Sequence, residues 1–88
     1  MVKQLKTLAE YNEAVTASSE KLLVIDFTAS WCPPCQMISP KFVGMAEEFG
    51  EGVMMVKIDV DENAEAAQAA GIEAMPTFQF FKGGVKID

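Results

Sequence analysis

This 88-residue chain is predicted to fold as a single α/β sandwich, a mixed central sheet with helices on both faces. Three observations lead there. Leu22-Leu23-Val24-Ile25-Asp26-Phe27 is apolar at nearly every position, as a strand covered on both faces must be. Segments with apolar residues at helical spacing alternate with strand-like runs, the order that builds parallel strands joined by right-handed helical crossovers. Near the end, Gly83-Gly84 separates two strand-like runs and reads as a hairpin, so the sheet closes antiparallel.

Taken in order, Lys3 to Leu5 is a short strand, and Thr7 with Glu10 three residues later forms a capping-box pattern. Leu8, Tyr11 and Val15 then recur at helical spacing, predicting a helix from Leu8 to Ala17 that ends at Ser18-Ser19. The central strand, Leu22 to Phe27, follows. From Pro34 to Phe49, Ile38, Phe42, Met45, Ala46 and Phe49 share one helical face, and Gly50 supplies the stop. Pro40 lies inside this run and predicts a kink, because it removes a donor and crowds the preceding turn. Met54, Val56, Ile58 and Val60 alternate with Met55, Lys57 and Asp59, which predicts a second internal strand. Asn63 caps an alanine-rich helix, Ala64 to Ala70, closed by Gly71. Thr77 to Phe81 reads as a strand, and Val85 to Asp88 as its hairpin partner. No repeat, linker or low-complexity tract interrupts the order.

Half of the residues are hydrophobic, enough for a packed core in one small domain. A formal charge of -6, with lysine as the only cationic residue type, argues against nucleic acid and against an anionic membrane, because both need a basic surface. A protein partner fits better. No apolar run is long enough to span a bilayer, and Leu22 to Ile25 is too short and too far in for a signal peptide, so a soluble, cytoplasmic protein is expected.

Trp31-Cys32-Pro33-Pro34-Cys35 holds the only two cysteines, placed where the central strand gives way to the long helix. A disulfide between them closes almost no loop and makes a poor staple. Zinc needs four ligands, and with no histidine and no second cysteine pair only a second chain could complete the site; the same holds for a cluster bridging two chains. The reading that needs nothing further is a reversible thiol pair. A cysteine at a helix N-terminus faces free backbone N–H groups and the positive end of the helix dipole, which favour its thiolate. Cys32 is therefore expected to attack a substrate disulfide, and Cys35, one turn further in and more buried, to resolve the mixed disulfide. Pro33 and Pro34 suit a first helical turn, remove two amides that could solvate the thiolate, and stiffen the turn in a way expected to tune the redox potential.

Two further residues carry chemistry. Asp26 is an acid inside an otherwise apolar strand, so it must be paired or hold a raised pKa, unless the strand end is open to water. Its expected role is general acid/base toward Cys35, with Lys57 on the neighbouring strand as partner if the register puts both on one face. Met75-Pro76 separates a loop from a strand. A cis bond there would expose the backbone of Met75 beside the cysteines, where a substrate segment can pair as an added strand.

Together these residues resemble the thioredoxin family over the whole chain: the Trp31–Cys35 motif, Asp26 upstream, Lys57 on the next strand and Met75-Pro76-Thr77 downstream. Met1-Val2-Lys3-Gln4 and Pro76 to Lys82 are similar to its cytosolic eukaryotic branch. The resemblance implies the three-layer thioredoxin-like sandwich and a protein-disulfide reductase working in electron transport and cell redox homeostasis. It implies no bound cofactor and no metal: reducing equivalents come from NADPH through thioredoxin reductase, and disulfide-containing proteins are the substrates. It also implies that Trp31, Ala74 and Met75 line the substrate surface around Cys32, with Pro33, Pro34 and Pro76 beside them. Pro33 stands where the family commonly has glycine, and no histidine lies between the cysteines as in the more oxidising isomerase type. By the same resemblance, residues 1–88 form one domain that stops before a final helix. The expected consequence is exposed apolar surface and an open edge beside Phe78, Phe80 and Phe81, through which the chain would dimerise. The rival reading is thus a shortened, non-catalytic interaction or dimerising module that has lost reductase activity.

Overall fold

The computed structural model describes residues 2–88; Met1, part of the N-terminal resemblance, lies outside the described residues. The elements are β1 (Lys3–Gln4), α1 (Leu8–Ala17), β2 (Leu22–Thr28), α2 (Pro33–Phe49), a 3₁₀ turn (Gly50–Gly52), β3 (Val53–Asp59), α3 (Ala64–Ala69), β4 (Thr77–Lys82) and β5 (Val85–Lys86). The five strands form one sheet in the order β1-β3-β2-β4-β5. β1, β3 and β2 run parallel, while β4 and β5 are antiparallel to their neighbours. This is the mixed thioredoxin-like α/β sheet that the sequence predicts.

Strand alternation sorts β2 onto two cores. Leu23, Ile25 and Phe27 are fully buried and pack with Tyr11 of α1, Ala66 of α3 and Val56 and Ile58 of β3. Val24 faces the other way, against Phe42 and Ala46 of α2 and Met55 of β3. A strand with helices on both sides needs apolar residues on both faces, which explains its nearly continuous apolar run.

The caps show how local chemistry sets the element ends. Thr7 Oγ1 accepts from Glu10 N at 3.0 Å, as the capping pattern predicts, but Glu10 reaches back to Lys6 N at 2.7 Å rather than to Thr7 N. The Lys6 amide is the main reason the Glu10 carboxyl lies below its ordinary pKa. α2 runs unbroken through Pro40. It ends at Gly50, whose φ of 62° is a conformation that glycine adopts without a Cβ penalty.

Asn63 does more than cap α3. Its Oδ1 accepts from Ala66 N at 3.4 Å, and its Nδ2 donates to Leu5 O and to Thr7 O, both at 3.1 Å. The side chain is buried and joins α3 to the β1–α1 connection. At about 1 kcal/mol for each bond, Asn63→Ala should lower unfolding free energy by about 2–3 kcal/mol, which urea titration reads directly.

Phe81 departs from expectation. Phe78 and Phe80 line an open apolar groove of about 450 Å³ with Phe42, Met45 and Phe49, but Phe81 is buried on the opposite face with Leu23 and Ile25. Successive strand residues point to opposite sides, so Phe78 and Phe80 share a face while Phe81, next to Phe80, must turn to the other.

Candidate active site

β2 ends and antiparallel β4 begins at the same end of the sheet, so the loop that leaves β2 and the loop that enters β4 bring most of the candidate residues together. After Thr28 the chain turns through Ala29, Ser30 and Trp31 and enters α2 with Cys32 as its N-cap. Pro33 and Pro34 occupy the first two helical positions and have no N–H to offer. The first amide available in that turn is Cys35 N, and it donates to Cys32 Sγ at 3.3 Å. The Gln36 amide is already committed to Cys32 O at 3.1 Å. The two prolines thus leave a single first-turn amide aimed at the Cys32 sulfur.

Cys32 and Cys35 are joined as a disulfide with their Cα atoms 5.3 Å apart. Cys32 is 4% exposed and Cys35 is wholly buried. The difference in exposure is small, so the asymmetry between the sulfurs comes from position: Cys32 sits at the helix end, facing the N–H group of Cys35. The Met75–Pro76 bond is cis. Met75 O lies 3.8 Å from Cys32 Sγ, which places the loop between α3 and β4 against the cysteines. Thr77 Oγ1 donates to Ala74 O and closes that loop at its far end. Ala74 is exposed, and Met75 and Pro76 are half-buried.

Trp31 is 62% exposed, and its indole Nε1 donates to Asp61 Oδ2 at 2.5 Å. Asp61 is placed by a turn in which Asp59 Oδ1 accepts from Asp61 N at 2.9 Å and from Glu62 N at 3.2 Å. Nothing in the sequence marks Asp61. The run Asp59-Val60-Asp61-Glu62 looks like any polar turn, and a contact across thirty positions leaves no local signal.

Asp26 is 2% exposed and points to the α2 side of the sheet. The parallel register sets it directly beside Lys57, so the two side chains share a face. Asp26 Oδ1 has no hydrogen-bond partner among the described residues. Burial pushes its carboxyl up to about 6, with the Lys57 ammonium pulling the other way. A polar cavity of about 200 Å³ opens beside Lys57 on this face, lined also by Thr28, Gln36 and Ser39. Of the residues singled out from sequence, the structure gathers Trp31, Cys32, Pro33, Pro34, Cys35, Ala74, Met75 and Pro76 at one end of the sheet. Asp26 and Lys57 lie further down, beneath α2.

Two sulfurs held together at one helix end take up an electron pair when their bond breaks and release it when the bond forms. That capacity, on this fold, defines a thiol–disulfide oxidoreductase. The thioredoxin family model matches residues 2–88, and the chain belongs to the thioredoxin family. It is 57% identical over 84 residues to the thioredoxin of Geodia cydonium, covering 96% of this chain and 78% of that protein. It is 43% identical over 88 residues to the horse (Equus caballus) protein, covering all of this chain and 83% of that one. The X-ray structure of Fasciola hepatica thioredoxin superposes with a TM-score of 0.93 at 40% identity, over 99% of this chain and 83% of that chain. As a member of this family the protein is a protein-disulfide reductase. No helix among the described residues is long and apolar enough to cross a membrane.

Proposed function

We propose that the protein reduces disulfides in other proteins in the cytoplasm, with Cys32 as the attacking thiol and Cys35 as the resolving one. The observation that carries this reading is the place of the Cys32 sulfur at the N-cap of α2, with the Cys35 amide donating to it and Met75 O beside it. Starting from the dithiol, the Cys32 thiolate attacks one sulfur of the substrate disulfide; the other sulfur leaves as a thiolate and takes up a proton. Cys35 then loses its proton to Asp26, relayed through water, and attacks Cys32 Sγ. The second substrate sulfur departs as a thiolate and takes up a proton, and the Cys32–Cys35 disulfide is left.

Trp31, Pro33, Pro34, Ala74, Met75 and Pro76 form the surface on which the substrate segment lies, its backbone pairing with that of Met75 as an added strand. A carboxyl with a pKa near 6 suits the proton transfer, because at neutral pH it is mostly ionised yet still a competent base. Lys57 stabilises the ionised form. Thioredoxin reductase, drawing on NADPH, returns the disulfide to the dithiol, which makes the protein an electron carrier.

The experiment is NADPH oxidation coupled to insulin reduction in the presence of thioredoxin reductase. Turnover that depends on both cysteines is expected; folded protein that supports none refutes the proposal.

A further inference from the structure

Gln79 is a buried amide with no part in the chemistry above. It pairs in register with Ile25, and alternation along β4 puts it on the side of Phe81, the opposite face from Asp26. Only 5% of it is exposed. Its Nε2 donates to Ala70 O at 3.1 Å, while its Oε1 has no partner among the described residues. A half-satisfied buried amide is a poor choice for stability, since a leucine there would bury no unpaired acceptor.

The bond it does make has a particular address. Ala70 is the C-cap of α3, the last residue before the loop that carries Met75 to the Cys32 sulfur. The other bonds at the loop entrance, Gly71 N to Gln68 O and Ile72 N to Ala67 O, stay within the end of α3. Neither ties the loop to the sheet. At the loop exit, Thr77 Oγ1 donates to Ala74 O. Ile72 packs the start of the loop against the core that holds Leu23 and Phe81, and the hydrogen bonds that fix its two ends come from side chains of β4, the strand paired with β2, which leads directly into the cysteine turn.

We infer that Gln79 is a positioning residue: through the Ala70 carbonyl it sets where the Met75 edge stands relative to Cys32, and so governs binding of peptide disulfides rather than sulfur reactivity. The inference rests on the proposed use of the Met75 backbone as the docking edge. With that edge loosened, a substrate must order the loop as it binds, which raises the concentration needed for saturation and leaves the exchange step alone.

The test compares wild type with Gln79→Leu and Gln79→Met, both of which fill the site without a donor. Three disulfides serve as probes: a cystine peptide, the same peptide N-methylated beside its cysteine, and a small aryl disulfide with no backbone. The variants should raise the half-saturating concentration of the unmethylated peptide about fivefold, the size of a 1 kcal/mol hydrogen bond at 1.4 kcal/mol per tenfold. The saturating rate, the rate with the aryl disulfide and the urea midpoint should not fall. Wild type that discriminates against the methylated peptide, with variants whose half-saturation is unchanged, overturns the role of Gln79 alone. Variants that slow the aryl disulfide as much as the peptide make Gln79 merely structural, which also overturns it. Wild type that reduces both peptides alike refutes the docking edge, and the inference with it. In wild type itself the Gln79 side-chain amide should exchange slowly with solvent, so fast exchange overturns the inference whether or not the variants fold.

Discussion

Cys35→Ser will stall the reaction as a mixed disulfide through Cys32, while Cys32→Ser will accumulate no adduct. Cys32 is the N-cap residue, and its sulfur receives the only first-turn amide that the two prolines leave free. Its thiolate gains from that donor and from the helix end. Cys35 is wholly buried and lies inside the helix, where its sulfur meets that of Cys32. Serine at 35 cannot displace a thiol, so release must await an external thiol at millimolar concentration. Intramolecular attack has an effective molarity many orders higher, so the variant should lose at least ~10³-fold in turnover. Non-reducing electrophoresis with intact mass measurement would identify the adduct. Equal trapping by the two variants would reverse or abolish the assigned roles.

Asp26→Asn should stabilise the protein at neutral pH, and the gain should vanish in acid. The folded carboxyl is raised from 3.8 to about 6, chiefly by burial, with Lys57 opposing. Between those two values the native state holds a proton that the unfolded chain has given up. Stability therefore falls as pH rises through this window, and the loss is complete above about pH 7. At 1.36 kcal/mol per unit the handicap amounts to roughly 3 kcal/mol. Asparagine has the same shape and no charge, so its stability should stay flat where that of wild type declines. Urea titrations of the two proteins at pH 4 and pH 8 would show the curves meeting in acid and separating in mild alkali. Parallel curves would mean that Asp26 is solvated in the folded state. The native residue thus lowers stability at the pH where a base is useful, a trade expected of a functional buried acid.

Much of this was legible in the chain because the relevant signals are local. Helical spacing with Thr7, Asn63 and Gly50 at its ends located the three helices to within a residue. The continuous apolar run at Leu22 to Phe27 announced a strand covered on both faces. The cysteine pair could be placed at a helix start because Pro33-Pro34 and the preceding strand mark that boundary. Asp26 stood out as a lone acid among apolar neighbours.

Other features depended on alignments between distant segments. Whether Lys57 faces Asp26 turns on the register of β2 against β3, and a slip of one residue would send it to the other face. Phe78, Phe80 and Phe81 are neighbours in sequence, but strand alternation divides them between two cores. The Trp31–Asp61 bond joins two loops that no periodicity connects. Gln79 is one polar residue in an apolar strand, and its bond to Ala70 O depends on how the end of α3 packs beside it.

By itself, the sequence determined the kinds of element, their order and the chemistry of the thiol pair, because backbone preference, burial pattern and helix-end electrostatics act over a few residues. Tertiary structure alone decided which distant groups meet: the Met75 carbonyl beside Cys32, Lys57 level with Asp26, and the Gln79 side chain on the Ala70 carbonyl. Those meetings are set by register and by packing across the sheet, which depend on many residues at once and leave no mark at any single position.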